Sequence, residues 1–322
     1  MTKAIVMHEP GGPDVLKWED VDVGDPGTGE ARIRQTAVGL NFIDTHFRDG
    51  SYPVGPLPAI IGFEAAGVVE AIGEGVSDVA VGDRVAYCPV LGAYTRARLV
   101  DAAMLVPLPD SISDEQAAAG LLKGMTAQYL LRQVTNTKAG DTVVVHAAAG
   151  GVGTFACQWA KHLGATVIGT VSSEEKAVYA KAHGCDHPVV TATGDFTETV
   201  NQVTDGKGAQ SIYESIGQET FLKSFSVLAR RGTLALYGHA SGPVADEDFA
   251  KIPVDRYFIR VTLQAYIATR EALLATAQDF FDVVANGAVK IEIGQTYALA
   301  DVGQAHADLE SRKTTGSTVF IP

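Results

Sequence analysis

The feature that most restricts the fold is a β-branched run, a glycine-rich turn and a helical apolar pattern in succession. Thr142 to His146 predict a strand, and Gly164 predicts the end of the helix. Between them, apolar side chains recur at helical spacing at Val152, Phe155, Ala156, Trp159 and Leu163. Strand, turn and helix in this order predict the first βαβ unit of a doubly wound parallel sheet.

The turn itself has the composition of a dinucleotide-binding fingerprint. Gly150 lets the backbone approach a pyrophosphate, Gly153 lets helix and strand pack closely, and the helix N-terminus offers free N–H groups. Ala148 stands where the first glycine of the fingerprint is usual. The alternative is a tight turn without a ligand. The predicted contacts are Ala148, Gly150, Gly151, Val152 and Gly153.

The end of the next predicted strand, Thr166 to Val171, indicates which dinucleotide binds. An NAD site normally has Asp or Glu there to accept from the ribose hydroxyls, whereas this chain has Ser172, Ser173 and then Lys176. Hydroxyls and a lysine suit a 2′-phosphate, so NADPH is the predicted cofactor. The alternative is that Ser172 only caps a helix and Lys176 is a solvated charge.

Alternating strands and helices follow, with strands expected at His187–Val190, Ser211–Glu214, Thr233–Gly238 and Arg260–Leu263 and a helix at Gln218–Ala229. The chain before residue 121 has strands and turns instead. The last helices and the strand Thr318–Ile321 are expected to rejoin this first part. The pattern predicts an α/β protein in which a Rossmann-type sheet is inserted into a β-rich domain.

Composition limits the partners. The 322 residues carry 25 basic and 38 acidic side chains, and the net charge of −13 disfavours nucleic acid and anionic membranes. Three widely spaced cysteines and a start without signal-peptide stages predict a cytoplasmic protein. The uncharged stretch from Thr142 to Ala160 contains His146, Gln158 and three glycines, so it is not interpreted as a membrane span.

Several short motifs are spread over almost the whole chain. Besides the glycine turn they are Asn41-Phe42-Ile43-Asp44, Gly62-Phe63-Glu64-Ala65-Ala66-Gly67, Gly82-Asp83-Arg84-Val85, Leu122-Lys123-Gly124-Met125-Thr126 and Glu310-Ser311-Arg312. Together, and in this order, they resemble the zinc-free quinone oxidoreductases, the zeta-crystallin-like family of the medium-chain dehydrogenase/reductase superfamily.

The resemblance implies a GroES-like catalytic domain from residues 1–123 and 266–322, and a Rossmann NADPH-binding domain from residues 124–265. It further implies reduction of a small-molecule quinone by NADPH, and a homodimer joined through the nucleotide-binding sheets. Two alternatives are an NADPH-dependent alkenal or enone double-bond reductase and a noncatalytic NADPH-binding protein.

The resemblance also implies roles for single residues. Asn41 faces the nicotinamide, Lys123 the ribose or phosphates, and Arg312 the 2′-phosphate together with Ser172 and Lys176. Thr126 and the loop of Tyr237, Gly238 and His239 are further expected cofactor contacts. His46 and Thr191 depart from the family, in which tyrosine is frequent at both positions.

No metal is expected. The positions that match the cysteine and histidine ligands of the zinc enzymes are Asn41 and Phe63. A quinone is already a good electrophile, so hydrogen-bond donors suffice for its developing charge. His46, Tyr52 or water is expected to supply protons; alternatively, His46 and Tyr52 are packing groups of an early turn.

Overall fold

The computed structural model describes residues 1–322, which divide into two compact units. Unit 1 consists of Met1–Lys123, Ile267–Phe281 and Ile291–Pro322. Unit 2 consists of Gly124–Tyr266 and Asp282–Lys290.

The strands, numbered in chain order, are β1 (Thr2–Met7), β2 (Leu16–Val21), β3 (Glu30–Leu40), β4 (Ala59–Ile60), β5 (Glu64–Ile72), β6 (Arg84–Tyr87), β7 (Ala97–Asp101), β8 (Val106–Pro107), β9 (Thr142–Val145), β10 (Thr166–Val171), β11 (His187–Val190), β12 (Ala209–Glu214), β13 (Leu228–Leu236), β14 (Tyr257–Arg260), β15 (Ile293–Ala298) and β16 (Ser317–Ile321). The α-helices are α1 (Phe42–Asp49), α2 (Asp114–Gln128), α3 (Gly151–His162), α4 (Glu174–Ala182), α5 (Phe196–Val203), α6 (Phe221–Ser226), α7 (Asp246–Phe249), α8 (Leu263–Tyr266), α9 (Arg270–Ala285) and α10 (Val302–Glu310). A π-helical segment, Tyr129–Val134, continues α2.

Unit 2 is built on a six-stranded sheet in the order β11-β10-β9-β12-β13-β14, and all its neighbouring strands are parallel. Strands β10 and β11 are added on one side of β9, and β12, β13 and β14 are added on its other side. The direction in which successive strands are added therefore reverses between β9 and β12. In open sheets of this kind, ligands bind at the carboxyl ends of the strands beside such a reversal. The predicted doubly wound sheet is therefore present.

Three predicted boundaries in unit 2 are wrong, one of which is the strand expected at Thr233–Gly238, observed at Leu228–Leu236. The helix expected at Gln218–Ala229 is only Phe221–Ser226, and β13 already begins at Leu228, where it pairs with Ala209 of β12. Apolar residues such as Leu228 fit a helix or a buried strand equally, and pairing with β12 decides between them. The strand expected at Arg260–Leu263 is Tyr257–Arg260, and Leu263 begins α8.

Unit 1 contains a three-stranded sheet, β2-β1-β4, and a larger sheet in the order β15-β16-β3-β5-β6-β8, with β7 also paired to β3. The C-terminal strand β16 runs antiparallel to β3, so both ends of the chain share this unit. Ile33, Val38, Tyr87 and Phe320 are among the buried residues of its core. The end of β3 and the start of β5 form the framework of the candidate site in this unit.

Candidate active site

In unit 2 the glycine turn lies at the carboxyl end of β9. Gly150 is the N-cap of α3 in an extended conformation, so Gly151, Val152 and Gly153 form the first turn of the helix. The N–H groups of a first helical turn have no acceptor within the helix, and the helix dipole favours an anion there. The turn is therefore chemically suited to a diphosphate.

Close packing explains two small residues of this segment. A Cβ on Gly153 would overlap the carbonyl oxygen of Ala147 and lie 2.9 Å from the Cα of Ala148. Ala148, in the place of the usual glycine, is accommodated because the residue facing it on β10 is Gly169, where a Cβ would lie 2.6 Å from the Cβ of Ala148. The departure from the fingerprint is thus matched by a glycine on the neighbouring strand.

The end of β10 presents the residues expected to select the cofactor. Ser173 is the N-cap of α4, and its Oγ accepts a hydrogen bond from the backbone nitrogen of Lys176 at 3.3 Å. Ser172 is exposed and is not the cap. The capping alternative therefore applies to Ser173, and the hydroxyl of Ser172 is exposed to solvent at the edge where the turn lies.

The loops after β12 and β13 are joined at the same edge of the sheet. Ala240 donates a backbone hydrogen bond to Ser215 at 3.1 Å, and Ser241 donates one to Ile216 at 2.8 Å. Tyr237, Gly238 and His239 belong to the second of these loops and are partly buried. The predicted contacts that follow β9, β10 and β13 are thus at one edge, while Thr126 lies buried on α2.

Glu214, which ends β12, was not identified from the sequence. Its carboxylate is fully buried and accepts from the backbone nitrogens of Ile216 at 2.8 Å and Gly217 at 3.1 Å. Its other oxygen accepts from Ser224 at 3.0 Å and lies 3.4 Å from Nε2 of His146. The buried carboxylate of Glu214 therefore holds the backbone of the loop that follows β12.

In unit 1 the candidate site is centred on Asn41, the N-cap of α1. Nδ2 of Asn41 donates to Oε2 of Glu64 at 3.0 Å, and Nζ of Lys123 donates to the same oxygen at 3.3 Å. Oε1 of Glu64 accepts from the backbone nitrogen of Leu122 at 2.6 Å. The structure thus brings Asn41 and Lys123 together through a buried carboxylate.

Glu64 was also not assigned a role from the sequence, because its partners are far away along the chain. It pairs with Gly39 in the sheet, and a Cβ on Gly39 would lie 2.7 Å from Oε2 of Glu64. One signal was available: Glu64 and Lys123 are charged residues in otherwise apolar segments. Buried charges of opposite sign are normally paired.

His46 and Tyr52 lie side by side near the end of α1. Their ring centroids are 5.3 Å apart, and the ring of Phe42 meets that of His46 edge to face at 5.4 Å. Both residues are partly exposed. Tyr52 also contacts Phe47 of the core, so these aromatic groups pack against the protein while remaining partly exposed.

The remaining predicted contact, Arg312, is exposed and follows the end of α10. Its backbone is left-handed, with a φ of 59°, and its nitrogen donates to the carbonyl of Leu309 at 3.0 Å. This turn directs the chain out of α10. No group of three or more His, Cys, Asp or Glu side chains is arranged to hold a metal ion.

Comparison with known proteins identifies the class. Residues 27–110 match the family described as alcohol dehydrogenase GroES-like domain, and residues 151–285 match zinc-binding dehydrogenase. These two matches, with the parallel sheet of unit 2, confirm the predicted fold class: a Rossmann-type domain and a GroES-like domain, as in medium-chain dehydrogenases/reductases.

Individual relatives identify the family within this class. A quinone oxidoreductase of Pseudomonas aeruginosa is 46% identical over 100% of both chains, and a 2-haloacrylate reductase of a Burkholderia species is 45% identical over 100% of this chain and 99% of its own. The crystal structure of Escherichia coli quinone oxidoreductase complexed with NADPH has a TM-score of 0.96 and 41% identity, covering 99% of this chain and 100% of that one. The chain belongs to the quinone oxidoreductase, or zeta-crystallin-like, family of the medium-chain dehydrogenases/reductases.

Proposed function

We propose that this chain is an NADPH-dependent quinone oxidoreductase. The observation that carries the proposal is its full-length similarity to quinone oxidoreductases, one of which has been solved with NADPH. The glycine turn fits the cofactor, because Gly150 at the N-cap of α3 has no side chain and so leaves space beside the start of the helix. A diphosphate needs that space to reach the first N–H groups of α3.

In this proposal one set of residues binds the cofactor and another donates to the quinone. Ala148 and Gly150 to Gly153 bind the diphosphate, Tyr237, Gly238 and His239 line the cofactor, and Lys123 and Thr126 bind its ribose or phosphates. Bound NADPH supplies a hydride from its nicotinamide ring. Asn41, which is held by Glu64, orients that ring, and His46 or Tyr52 donates a hydrogen bond or a proton to the oxygen of the quinone.

The 2′-phosphate is bound by Ser172, Lys176 and Arg312. We expect Lys176→Ala to weaken NADPH binding about tenfold in a fluorescence titration, the loss of about 1.4 kcal/mol, and to leave NADH binding unchanged. Lys181→Ala on the same helix is the matched control. Equal loss for both nucleotides, or no loss for either, contradicts this assignment.

Turnover tests the function itself. NADPH oxidation is measured with 1,4-benzoquinone and 9,10-phenanthrenequinone, and Asn41→Ala is expected to lower kcat about tenfold or more because the ring loses its orientation. Tight NADPH binding without turnover of any acceptor would contradict the proposed enzyme.

A second candidate is reduction of a conjugated double bond, which is favoured by the 2-haloacrylate reductase among the relatives. A quinone is a doubly conjugated enone, so the same hydride position serves both reactions. An enal and 2-chloroacrylate are therefore added to the acceptor panel. A higher kcat/KM for these acceptors than for either quinone would favour the second candidate.

A homodimer joined through the nucleotide-binding sheets is part of the proposal. The edge strand β14 has no neighbour on its outer side, and it exposes Tyr257 and Ile259 next to the fully exposed Val254. Unpaired edges with apolar side chains favour pairing with a second chain. Light scattering is expected to give a dimer for the wild type and for the control Val178→Asp, and a monomer for Ile259→Asp.

The proposed domains are residues 1–123 with 266–322 and residues 124–265, supported by two compact units that divide near these positions. A cytoplasmic location is also proposed. It is supported by three free, buried cysteines, which are typical of a reducing compartment. No helix has the length and apolar composition that crossing a membrane requires.

A further inference from the structure

One carboxylate next to Asn41 is buried without a complete set of partners. Asp44 on α1 is fully buried, and its Oδ2 accepts from the backbone nitrogen of Asn41 at 2.9 Å and from the hydroxyl of Tyr94 at 2.9 Å. Its Oδ1 has no hydrogen bond. A charged carboxylate in this position is costly, and a protonated one costs less.

On one side Asp44 is reached by a directed series of hydrogen bonds. Arginine can only donate, so Nδ1 of His306, 3.3 Å from Nη1 of Arg48, is the acceptor. Nε2 of His306 therefore carries the hydrogen and donates to the hydroxyl of Tyr94 at 2.9 Å. The hydroxyl of Tyr94 then donates to Asp44. His306 is uncharged, because burial lowers its pKa to about 3.

On the other side lie the two charges of the candidate site. The ammonium group of Lys123 is paired with Glu64, and its charge also acts on Asp44 at longer range. Burial raises the pKa of Asp44 to about 7, with a smaller opposing contribution from Lys123 and a supporting one from Glu64. Cys88 faces the same pair, and burial together with Glu64 raises its pKa, so that thiol stays neutral.

Asp44 thus has three neighbouring sets of groups. The neutral donors Tyr94 and His306 lie towards α10, Glu64 and Lys123 towards β5 and α2, and His46 follows on the same helix. Of the two buried carboxylates, Glu64 has Lys123 as its counter-ion and Asp44 has none of its own. It is the group best placed to exchange a proton near neutral pH.

We propose that Asp44 is a proton-linked residue that responds to the charge of the bound nicotinamide, holding its proton with NADPH and releasing it with NADP⁺. The proposal rests on the proposed function, in which Asn41 faces that ring. In this exchange the carboxyl O–H bond breaks, the proton leaves to solvent, and the remaining carboxylate carries a charge opposite in sign to that of the NADP⁺ ring. Quinone reduction by NADPH consumes one proton, so this release offsets part of that uptake.

The test is a measurement of binding, without any quinone. Dissociation constants for NADPH and NADP⁺ are determined by titration calorimetry from about pH 5.5 to about pH 8.5, and their ratio cancels the titration of the 2′-phosphate common to both. We expect NADP⁺ to tighten roughly tenfold relative to NADPH as the pH rises through about 7. Calorimetry in two buffers of different ionisation enthalpy is expected to detect more proton release with NADP⁺ than with NADPH.

Four variants identify the group. Asp44→Asn is expected to abolish the pH dependence of the ratio, while Asp49→Asn, an exposed aspartate on the same helix, keeps it. His46→Asn is also expected to keep the pH dependence, which distinguishes Asp44 from the neighbouring histidine of α1. Tyr94→Phe removes a donor that lowers the pKa of Asp44, so the midpoint is expected to move to higher pH.

Tyr94→Phe decides the question if Asp44→Asn does not fold. A flat ratio in the wild type, a midpoint unmoved in Tyr94→Phe, or a dependence that disappears in His46→Asn overturns the proposal. Binding of both nucleotides without quinone turnover contradicts only the proposed function. Failure to bind either nucleotide overturns both.

Discussion

Arg48 of α1 and Glu310 of α10 form a bidentate ion pair between the two ends of the chain. Nη1 of Arg48 lies 2.9 Å from Oε2 and Nη2 lies 2.7 Å from Oε1. The buried guanidinium also donates from Nε to the carbonyl of Gly11 at 3.0 Å. Both the helix that contains Asp44 and the helix that precedes Arg312 are thus held by one side chain.

Arg48→Met is expected to lower the free energy of unfolding by about 3 kcal/mol, because it removes the ion pair with Glu310 and leaves Nδ1 of the buried His306 and the carbonyl of Gly11 without their donor. Urea denaturation measures the change. The control is Arg230→Met, since Arg230 pairs with Asp255 at 2.9 Å but is 84% exposed, and the expected change there is about 0.5 kcal/mol or less. If the two variants lose the same free energy of unfolding, the buried arginine does not contribute more than the exposed one.

Asp44 is expected to make stability depend on pH in an unusual direction. Its pKa is about 7 in the folded chain and 3.8 when exposed, so the folded form binds the proton more tightly. The stabilisation is complete below about pH 4 and is lost as the pH rises through about 7, a change of roughly 4 kcal/mol. The difference in unfolding free energy between wild type and Asp44→Asn should therefore fall over this range. If urea titrations at each pH give the same difference between the two proteins throughout, the predicted effect of Asp44 is disproved.

His306 is expected to act in the opposite direction. Burial lowers its pKa from 6.5 to about 3, so its stabilisation is complete above about pH 6.5 and is lost as the pH falls towards 3. Compared with His306→Gln, the wild type should therefore lose stability on acidification, by up to roughly 5 kcal/mol. His8→Gln, which replaces an exposed histidine, is measured over the same pH range as the control. If the unfolding free energy of His306→Gln follows that of the wild type at every pH, the buried histidine is not neutral.

These opposite dependences belong to two residues joined through Tyr94, and the sequence did not reveal the connection. Local patterns predicted what depends on neighbours in sequence: the strand and helix around Gly150, the parallel sheet, and the family motifs around Asn41. Asp44, Tyr94 and His306 meet only after β16 has paired with β3 and Arg48 of α1 has contacted His306 and Glu310 of α10. Such contacts depend on tertiary structure, and a single sequence contains no periodic signal for them.

The same limit explains the boundary errors. A helix and a buried strand both accept the apolar residues from Val227 to Ala229, and the close approach of Gly208 to Ala229 selects the strand. Glu64 was within a recognised motif, but its role follows from the side chains it reaches, Asn41 and Lys123. The sequence therefore predicted which segments form the site better than which residues hold it together.

Gly153 gives the most direct test of the nucleotide site. In Gly153→Ala the added Cβ overlaps the carbonyl oxygen of Ala147, and backbone atoms cannot move aside as a flexible side chain can. The first turn of α3 must therefore shift away from β9, and its N–H groups lose their alignment with the diphosphate. We expect NADPH binding to weaken about tenfold or more in a fluorescence titration, with circular dichroism showing a retained fold. Gly194→Ala is the control in the same unit, because its Cβ would lie 3.2 Å from a side-chain carbon of Val189, which can adjust. Unchanged affinity in Gly153→Ala would mean that close packing of helix and strand is not what shapes the turn for the cofactor.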